Sequence, residues 1–365
     1  MTVGRMMSAK SKLKQLGANI RYSLTSAPFS ELTIVSEKDA WSLACDVEEV
    51  YKICQRLNFP VRTAHWAGVF RQPLFYLSKY FLLQPGLHLH GMNRVAMAYY
   101  HGYPGSDEIA DRCLASLRRY HHKIARIQVT HQRIRDVLLE QGVAEEKLHM
   151  IPIGIDIELF TAVTDELRAA ARERLGIPEA AFLVGSFQKD GVGWGDGLVP
   201  KRIKGPDILV ETLARAKQRI PELWVLLTGP ARGYVKAQLD RLGIPYRHLF
   251  LQNFKELPAC YHALDAYLVS SREEGGPKAV LESMATGVPV VSTPVGQASH
   301  LIRSGVNGLL ASGFSPEELA GLLGSLYGRE TQGPLLRANG FKTARENAYS
   351  AQLSLWKQFW SGIIE

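Results

Sequence analysis

The 365-residue chain is longer than one hydrophobic core usually supports, so we expect two domains. Apolar residues make up 46% and charged residues 21%, which is typical of a globular protein and excludes a disordered or fibrous chain. The four cysteines form no Cys-x-x-Cys pair and have no histidine at metal-ligand spacing. Neither a zinc site nor a disulfide framework is therefore indicated, and we expect a reducing, cytoplasmic setting.

The net charge of +8 is concentrated in the first part of the chain. Residues 1–155 carry 20 Lys/Arg against 13 Asp/Glu, whereas residues 156–365 carry 23 against 22. Such asymmetry is compatible with an anionic membrane surface, an anionic substrate or nucleic acid, or with a solvated face. No nucleic-acid reading motif accompanies the basic residues, so nucleic acid is not expected as a partner.

No segment predicts a transmembrane helix or a signal peptide. The nearest candidate, Trp66–Leu83, is interrupted by Arg71, Pro73 and Lys79. We expect it to be a buried helix or, alternatively, a helix at a membrane interface.

Short apolar runs alternate with amphipathic segments from about Glu31, which predicts α/β architecture with mainly parallel sheets. In the first half the predicted strands are 32–35, 61–65, 87–90, 95–100 and 124–129, and the predicted helices are 39–57, 107–121 and 132–141. The Pro- and Gly-punctuated segment 147–156 predicts a domain boundary, so we assign residues 1–155 to the first domain.

The same alternation restarts in the second domain, residues 156–343. Its predicted strands are 182–187, 223–228, 248–251, 266–269 and 289–292, and its predicted helices are 206–219, 234–242, 257–263 and 278–286. Residues 344–365 predict an amphipathic helix whose Trp356 and Trp360 need a partner surface, which we expect on the first domain. Two doubly wound domains bind ligands at the carboxyl ends of their strands, so we expect a cleft site.

The segment 270–292 is the most informative part of the sequence. Glu274 precedes a predicted helix and Glu282 lies eight residues later, about 12 Å along a helix axis, roughly the length of a sugar nucleotide. Gly275 and Gly276 permit close backbone approach, and Pro277-Lys278 open the helix, whose N-terminus favours an anion.

This segment resembles the Glu-x7-Glu signature of the retaining glycosyltransferases of family 4, which have the GT-B fold of two facing Rossmann-like domains. The resemblance implies that Glu274 contacts the donor sugar and that Gly275 to Lys278 bind sugar hydroxyls and phosphate. It also implies that Glu282 binds the ribose. Glu273 is adjacent to Glu274, and a shift of one residue in register would exchange their roles.

The family also has a strand ending in Gly-Arg, followed by Lys-Gly at the start of a helix. Here Gly185 matches, Ser186 stands in place of the arginine, and Lys204 matches the lysine after a glycine-rich insertion. The second cation for the diphosphate must then come from Lys189, Lys201 or Arg202, of which we favour Arg202.

Three weaker matches complete the resemblance. Gly229 resembles the donor-side turn, Phe254 the loop that borders the nucleobase, and His101 the strand-end histidine near the donor sugar and acceptor. His88 and His90 are further strand-end histidines with no assigned role. The family's glycine-rich opening loop is not recognisable in the first 30 residues.

The sequence thus predicts a retaining transferase that moves a sugar from a nucleotide-diphosphate sugar, its co-substrate, to an acceptor hydroxyl, with Glu274 and His101 as catalytic residues. No cofactor or metal is expected, because no acidic pair of the Asp-x-Asp kind is present. The acceptor is soluble or lipid-linked, and the protein is cytoplasmic or peripheral at the inner face of the membrane. Two alternatives stay open: a sugar-nucleotide epimerase or hydrolase, and a non-catalytic protein that binds a sugar nucleotide or polyanion.

Overall fold

The computed structural model describes residues 9–35, 41–64, 69–89, 91–328 and 332–364. These residues form two compact units. Unit 1 comprises the chain through Pro152 together with the segment from Tyr349 onward, and unit 2 comprises Ile153–Ala348. The expected division after residue 155 lies three residues beyond this point.

Unit 1 contains a parallel sheet whose strand order is β2-β1-β3-β4-β5-β6 among the described residues. The strands are β1 (Leu32–Val35), β2 (Val61–Ala64), β3 (Pro73–Tyr76), β4 (Arg94–Ala98), β5 (Ile124–Val129) and β6 (Leu148–Met150). The helices before β6 are α1 (Ala9–Thr25), α2 (Trp41–Arg56), α3 (Glu108–Tyr120) and α4 (Gln132–Glu140). Asp107, the first residue of the predicted helix 107–121, is the N-cap of α3, and its carboxylate accepts a hydrogen bond from the Ala110 amide.

Two sequence predictions for residues 66–90 are wrong. The run predicted as one helix, Trp66–Leu83, instead contains β3 followed by a 3-10 helix at Lys79–Leu83, while residues 66–68 lie outside the described part. All four residues of β3 are buried, and a short apolar run of this kind does not distinguish a buried helix from a central strand. The strand predicted at 87–90 is also absent from its described residues: Pro85–Leu87 form a 3-10 turn, and His90 lies outside the described part.

The chain terminus contributes to the core of unit 1. The predicted single helix from Ala344 to Gly362 is instead the end of α12 (Gln332–Glu346), a 3-10 turn at Tyr349–Gln352 and α13 (Leu353–Trp360). Trp356, Phe359 and Trp360 of α13 are buried and lie edge-on around Phe75 of β3, with ring centroids 5.1–6.0 Å away. The core of unit 1 thus provides the apolar surroundings that these aromatic side chains need.

Unit 2 contains a second parallel sheet, with the order β12-β11-β10-β7-β8-β9 among the described residues. Its strands are β7 (Phe182–Phe187), β8 (Leu223–Thr228), β9 (Tyr246–Leu249), β10 (Ala266–Val269), β11 (Val290–Ser292) and β12 (Leu309–Leu310). Its helices before α12 are α5 (Asp165–Leu175), α6 (Pro206–Lys217), α7 (Gly233–Leu242), α8 (Leu257–His262), α9 (Lys278–Thr286), α10 (Ala298–Leu301) and α11 (Pro316–Leu326). Strand order reverses between β7 and β10, and the carboxyl ends at such a reversal form a crevice for ligands.

Within the described part of the chain, none of the helices is both long and apolar enough to cross a bilayer.

Candidate nucleotide-sugar site

The candidate site lies in unit 2, where β7 and β10 end beside each other. Gln188 directly follows β7, and Ser271 and Glu274 lie in the loop after β10. Lys204 ends a 3-10 turn at Arg202–Lys204, just before α6. Polar side chains from three separate parts of the sequence therefore meet where the strand order reverses.

Lys204 and Glu274 form the centre of this cluster. The Lys204 Nζ lies 2.6 Å from Glu274 Oε1, and the two side chains are 24% and 16% exposed. The Ser271 hydroxyl donates to the same carboxylate oxygen at 2.9 Å, and the Gln188 side-chain amide donates to the Lys204 carbonyl at 3.0 Å. Among the described residues both hydrogen bonds of Glu274 use Oε1, so Oε2 is available to a ligand hydroxyl.

Backbone contacts hold the two loops together. The amides of Arg272 and Glu273 both donate to the Ile203 carbonyl, at 2.8 and 3.1 Å. The Arg272 guanidinium binds the Asp207 carboxylate through two parallel hydrogen bonds of 2.7 and 2.6 Å, which hold the Asp207 pKa below its ordinary value. The segment that carries Glu274 is thus fixed against the segment that carries Lys204.

Gly205 is required by this close approach of the loops. Its φ is +59°, and a Cβ added there would lie 1.9 Å from the Ser270 carbonyl oxygen. A side chain at this position would force apart the two loops that bring Lys204 to Glu274, so the Lys-Gly pair has a geometric basis.

The glycine turn after Glu274 is packed against Gln297. A Cβ on Gly276 would lie 2.6 Å from the Gln297 side chain, whose amide exchanges hydrogen bonds with the Ile153 backbone at 2.9 and 3.1 Å. The Gln297 backbone N–H donates to the Gly275 carbonyl at 3.2 Å. The glycines were expected to allow ligand approach; what the structure shows is that Gly276 allows close internal packing against Gln297.

Ser186, which stands where an arginine was expected, contacts Arg232, the residue just before α7. The Arg232 guanidinium donates to the Ser186 carbonyl at 2.7 Å and to the Ser186 hydroxyl at 3.2 Å. It also donates to the carbonyls of Gln188 and Thr228, at 2.8 and 3.1 Å. Arg232 therefore joins the carboxyl ends of β7 and β8 directly beside the site.

Arg232 is paired with Asp190, and both side chains are fully buried. The Arg232 Nε lies 3.1 Å from Asp190 Oδ1. Burial raises the pKa of the Asp190 carboxyl, while the charge of Arg232 opposes that shift. Burial also lowers the pKa of Arg232, while Asp190 opposes it. Each charge thus offsets the desolvation cost of the other, since both side chains are buried away from solvent.

Glu282 lies on α9 and is 5% exposed. The Tyr261 hydroxyl donates to Glu282 Oε2 at 2.7 Å. Burial and the neighbouring Glu282 charge raise the pKa of the Tyr261 hydroxyl well above its ordinary value, so Tyr261 stays a hydrogen-bond donor at neutral pH. This contact is separate from the hydrogen bonds that join Lys204, Glu274 and Ser271.

Residues 198–339 match a family described as Glycosyl transferases group 1, a span that includes Lys204, Glu274 and Glu282. The D-inositol 3-phosphate glycosyltransferase of Corynebacterium urealyticum is 31% identical over 216 residues, covering 56% of this chain and 48% of the relative. The enzyme of the same name from Salinispora arenicola is 32% identical over 238 residues, covering 60% and 49%. The chain thus spans about half the length of the curated relatives it matches.

Two solved structures show the fold. HepE of Anabaena, in complex with UDP and glucose, is 17% identical with a TM-score of 0.72, covering 91% of this chain and all of that chain. Sucrose-phosphate synthase of Thermosynechococcus elongatus is 20% identical with a TM-score of 0.65, covering 88% of this chain and 78% of that chain. The chain has the GT-B fold.

The remaining predicted donor residues of the GT-B chain occupy different environments. Gly185 lies inside β7, where a Cβ would be 2.4 Å from Leu264, so it serves internal packing. Gly229 has φ +89° and its carbonyl contacts the His248 ring at 2.8 Å. Phe254 packs edge-on against Phe160 at 5.8 Å.

Three further predicted residues lie at the openings of α6 and α9. Arg202 is exposed, and its carbonyl accepts a hydrogen bond from Arg272 at 3.0 Å. Pro277 precedes α9 and Lys278 is its first residue. Among the described residues, no group of three or more His, Cys, Asp or Glu is placed to hold a metal ion.

His101 belongs to unit 1 and follows β4. Its carbonyl accepts a hydrogen bond from the buried Lys79 ammonium at 2.8 Å. The adjacent Gly102 has φ +109°, and a Cβ there would lie 2.2 Å from Lys79 Nζ. Lys79 and Gly102 therefore shape the turn that carries His101.

Three residues at or beside the site in unit 2 of this GT-B chain were not predicted: Gln188, Ser271 and Arg232. Gln188 immediately follows β7, and Ser271 lies just beyond the end of β10. The rule that ligands bind at strand ends could therefore have identified both residues. Arg232 lies four residues after β8, and only its position in the fold shows that it reaches Ser186.

Proposed function

We propose that this protein transfers a sugar from a nucleoside-diphosphate sugar to an acceptor hydroxyl, with the donor bound by unit 2. The observation that carries the proposal is the contact between Lys204 and Glu274, at 2.6 Å, beside the point where strand order reverses. It is supported by the glycosyltransferase names of the relatives and by the UDP complexes of proteins with the same fold.

The proposed roles follow from charge and position. As the bond to the anomeric carbon breaks, negative charge accumulates on the leaving diphosphate, and the Lys204 ammonium stabilises that charge. Exposed Arg202 supplies a second cation. Glu274 orients Lys204 through Oε1 and offers Oε2 to a hydroxyl of the donor sugar. Buried Glu282, held by Tyr261, anchors the ribose hydroxyls.

We further propose retention of configuration at the anomeric carbon, as the resemblance to family 4 implies. The acceptor hydroxyl attacks on the face from which the diphosphate leaves, and a phosphate oxygen takes its proton. His101 would orient the acceptor. Because the sequence has no Asp-x-Asp pair, the proposal assigns charge stabilisation to side-chain cations and Gly275 to Lys278 rather than to a divalent metal.

A product assay tests this function against its alternatives. Donor sugar nucleotide is incubated with and without a panel of hydroxyl acceptors, and sugar products are analysed by NMR. Transfer predicts a glycoside with the donor's anomeric configuration, formed only with acceptor. Free sugar or an epimerised donor as the sole product in every incubation would show a hydrolase or an epimerase, and an unchanged donor would show a non-catalytic binder.

Substitutions at the two glutamates should have different kinetic effects. We expect Glu282→Ala to raise the donor KM about tenfold or more with a smaller change in kcat, because it removes a contact present in both ground and transition states. We expect Glu274→Ala to lower kcat more than it raises KM, because that contact is at the reacting sugar. Equal and small effects of both substitutions would exclude this site.

Glu282→Gln is the matched control for burial. The amide oxygen still accepts the Tyr261 hydrogen bond, so the fold is preserved while the negative charge is lost. Its donor KM should lie between those of the wild type and Glu282→Ala, with an unchanged thermal midpoint.

We also propose that residues 1–155 approach an anionic surface, with a lipid-linked acceptor as the corresponding substrate class. Seven of the eight net positive charges fall in this part of the chain. Each Lys or Arg near an anionic leaflet contributes about 1 kcal/mol, screened by salt over roughly 8–10 Å. Several together would give weak, salt-sensitive adsorption.

A further inference from the structure

Helix α1 of unit 1 exposes a stripe of apolar side chains. Leu13, Ile20 and Leu24 are 67%, 40% and 72% exposed. At about 100° per residue, spacings of seven and four residues place the three side chains within roughly 40° of one another. A single face of α1 therefore presents three large aliphatic side chains to the surroundings.

The face of α1 that points into unit 1 is largely polar, although half-buried Tyr22 packs against the core. Asn19 and Ser23 are buried. The Arg62 guanidinium donates to Asn19 Oδ1 at 2.8 Å, and the Phe70 amide donates to Ser23 Oγ at 3.1 Å. A helix that covers a core usually has the opposite polarity, with apolar residues inside. These hydrogen bonds help to hold α1 on unit 1, and Leu13, Ile20 and Leu24 remain exposed for another partner.

The charge of α1 indicates what that partner is. The helix contains Lys10, Lys12, Lys14 and Arg21 and no Asp or Glu. Lys14 and Arg21 are exposed and lie about 80–100° from Leu13 around the axis, both on the same side of the stripe. An apolar stripe bordered by cations matches the boundary between acyl chains and anionic headgroups. A second copy of the same helix would instead bring like charges together.

We propose that α1 binds in the plane of an anionic lipid surface, with Leu13, Ile20 and Leu24 among the acyl chains and Lys14 and Arg21 at the headgroup phosphates. With 17 residues and four cations, α1 lies on the bilayer and does not cross it. The proposal refines the anionic-surface part of the proposed function by naming the element that makes the contact.

Co-sedimentation with vesicles tests the proposal. The full chain is mixed with phosphatidylcholine vesicles that contain or lack phosphatidylglycerol, at low and high salt. Wild type should bind the anionic vesicles in low salt. Leu13→Gln/Leu24→Gln should reduce the partition coefficient about tenfold or more. Lys14→Gln/Arg21→Gln should reduce binding to anionic vesicles only. Leu335→Gln, which changes a 58% exposed leucine of unit 2, should leave binding unchanged.

Gly17 offers a test in the opposite direction. It lies on the stripe side of α1, and no atom lies within 4 Å of the position of an added Cβ. Gly17→Leu should therefore increase vesicle binding several-fold without disturbing the fold, because it extends the apolar stripe and favours the helix. A loss of binding through misfolding cannot produce this gain.

Other outcomes would overturn the proposal. These are wild type that does not bind, leucine variants that bind like wild type, or binding that ignores lipid charge and salt. A concentration-dependent dimer that Leu13→Gln/Leu24→Gln abolishes would instead assign the stripe to a second copy. Transfer to a soluble acceptor, measured on the same samples, should be equal in all variants. Glycosyl transfer without vesicle binding would thus reject the lipid contact alone.

Discussion

Lys204→Met is expected to lower kcat for glycosyl transfer by about 100- to 1,000-fold, the usual loss when one preorganised group that stabilises developing negative charge is removed. Methionine keeps the length and apolar stem of the side chain but lacks the ammonium that lies 2.6 Å from Glu274. The donor KM should change less, because the further negative charge on the diphosphate develops only as its bond to the sugar breaks. Initial rates at saturating donor measure the effect.

Two substitutions serve as controls for Lys204. Lys204→Arg keeps the positive charge and should recover part of the rate. Lys217→Met removes a partly exposed lysine at the end of α6, whose ammonium contacts the Pro221 carbonyl, and should leave kcat unchanged. A wild-type kcat in Lys204→Met would remove the charge-stabilising role from this residue.

Arg232→Met is expected to lower the free energy of unfolding of unit 2 by about 3–5 kcal/mol. The substitution leaves the Asp190 carboxylate buried without its cation and removes the donor shared by the carbonyls of Ser186, Gln188 and Thr228. Denaturant unfolding followed by intrinsic tryptophan fluorescence, to which Trp224 of β8 contributes, measures this loss.

The double variant Asp190→Leu/Arg232→Met separates the cost of an unpaired buried charge from the cost of changed side-chain packing. Removing both charges should restore a large part of the lost stability, since no buried charge then lacks a partner. Arg215→Met, which breaks pairs with the half-exposed carboxylates of Glu211 and Glu317, should cost less than about 1 kcal/mol. Equal costs for Arg215→Met and Arg232→Met would contradict the structural role assigned to the buried pair.

Several elements of the second unit could be predicted from the sequence to the residue. The bounds of β7, β8, β10 and α9 agree with the predicted bounds, because each is a buried or amphipathic run between clear turn residues. In unit 1, β3 was missed, because a four-residue buried run beside Pro73 has no periodicity that separates strand from helix.

Several residues of the candidate site could be assigned from the sequence, but the contacts between them could not. Lys204 and Glu274 were both assigned to the donor from the resemblance, and the structure brings them into hydrogen-bond contact. That Arg232 would reach Ser186 depends on the adjacency of β7 and β8, which no local pattern encodes. The exposure of Leu13 and Leu24 on α1 could not be predicted from the sequence either, since the hydrophobic stripe of a helix is ordinarily its buried face.

The central claim, a nucleotide-sugar donor bound at Lys204, Glu274 and Glu282, is tested most directly by thermal shift with UDP-, GDP- and ADP-sugars. One of these at 100 times its dissociation constant should stabilise the wild type by about 2.7 kcal/mol, and Glu282→Ala should reduce the shift at the same concentration. If no nucleotide sugar shifts the midpoint, or if Glu282→Ala and Lys204→Met respond like wild type, the donor site is not where we place it.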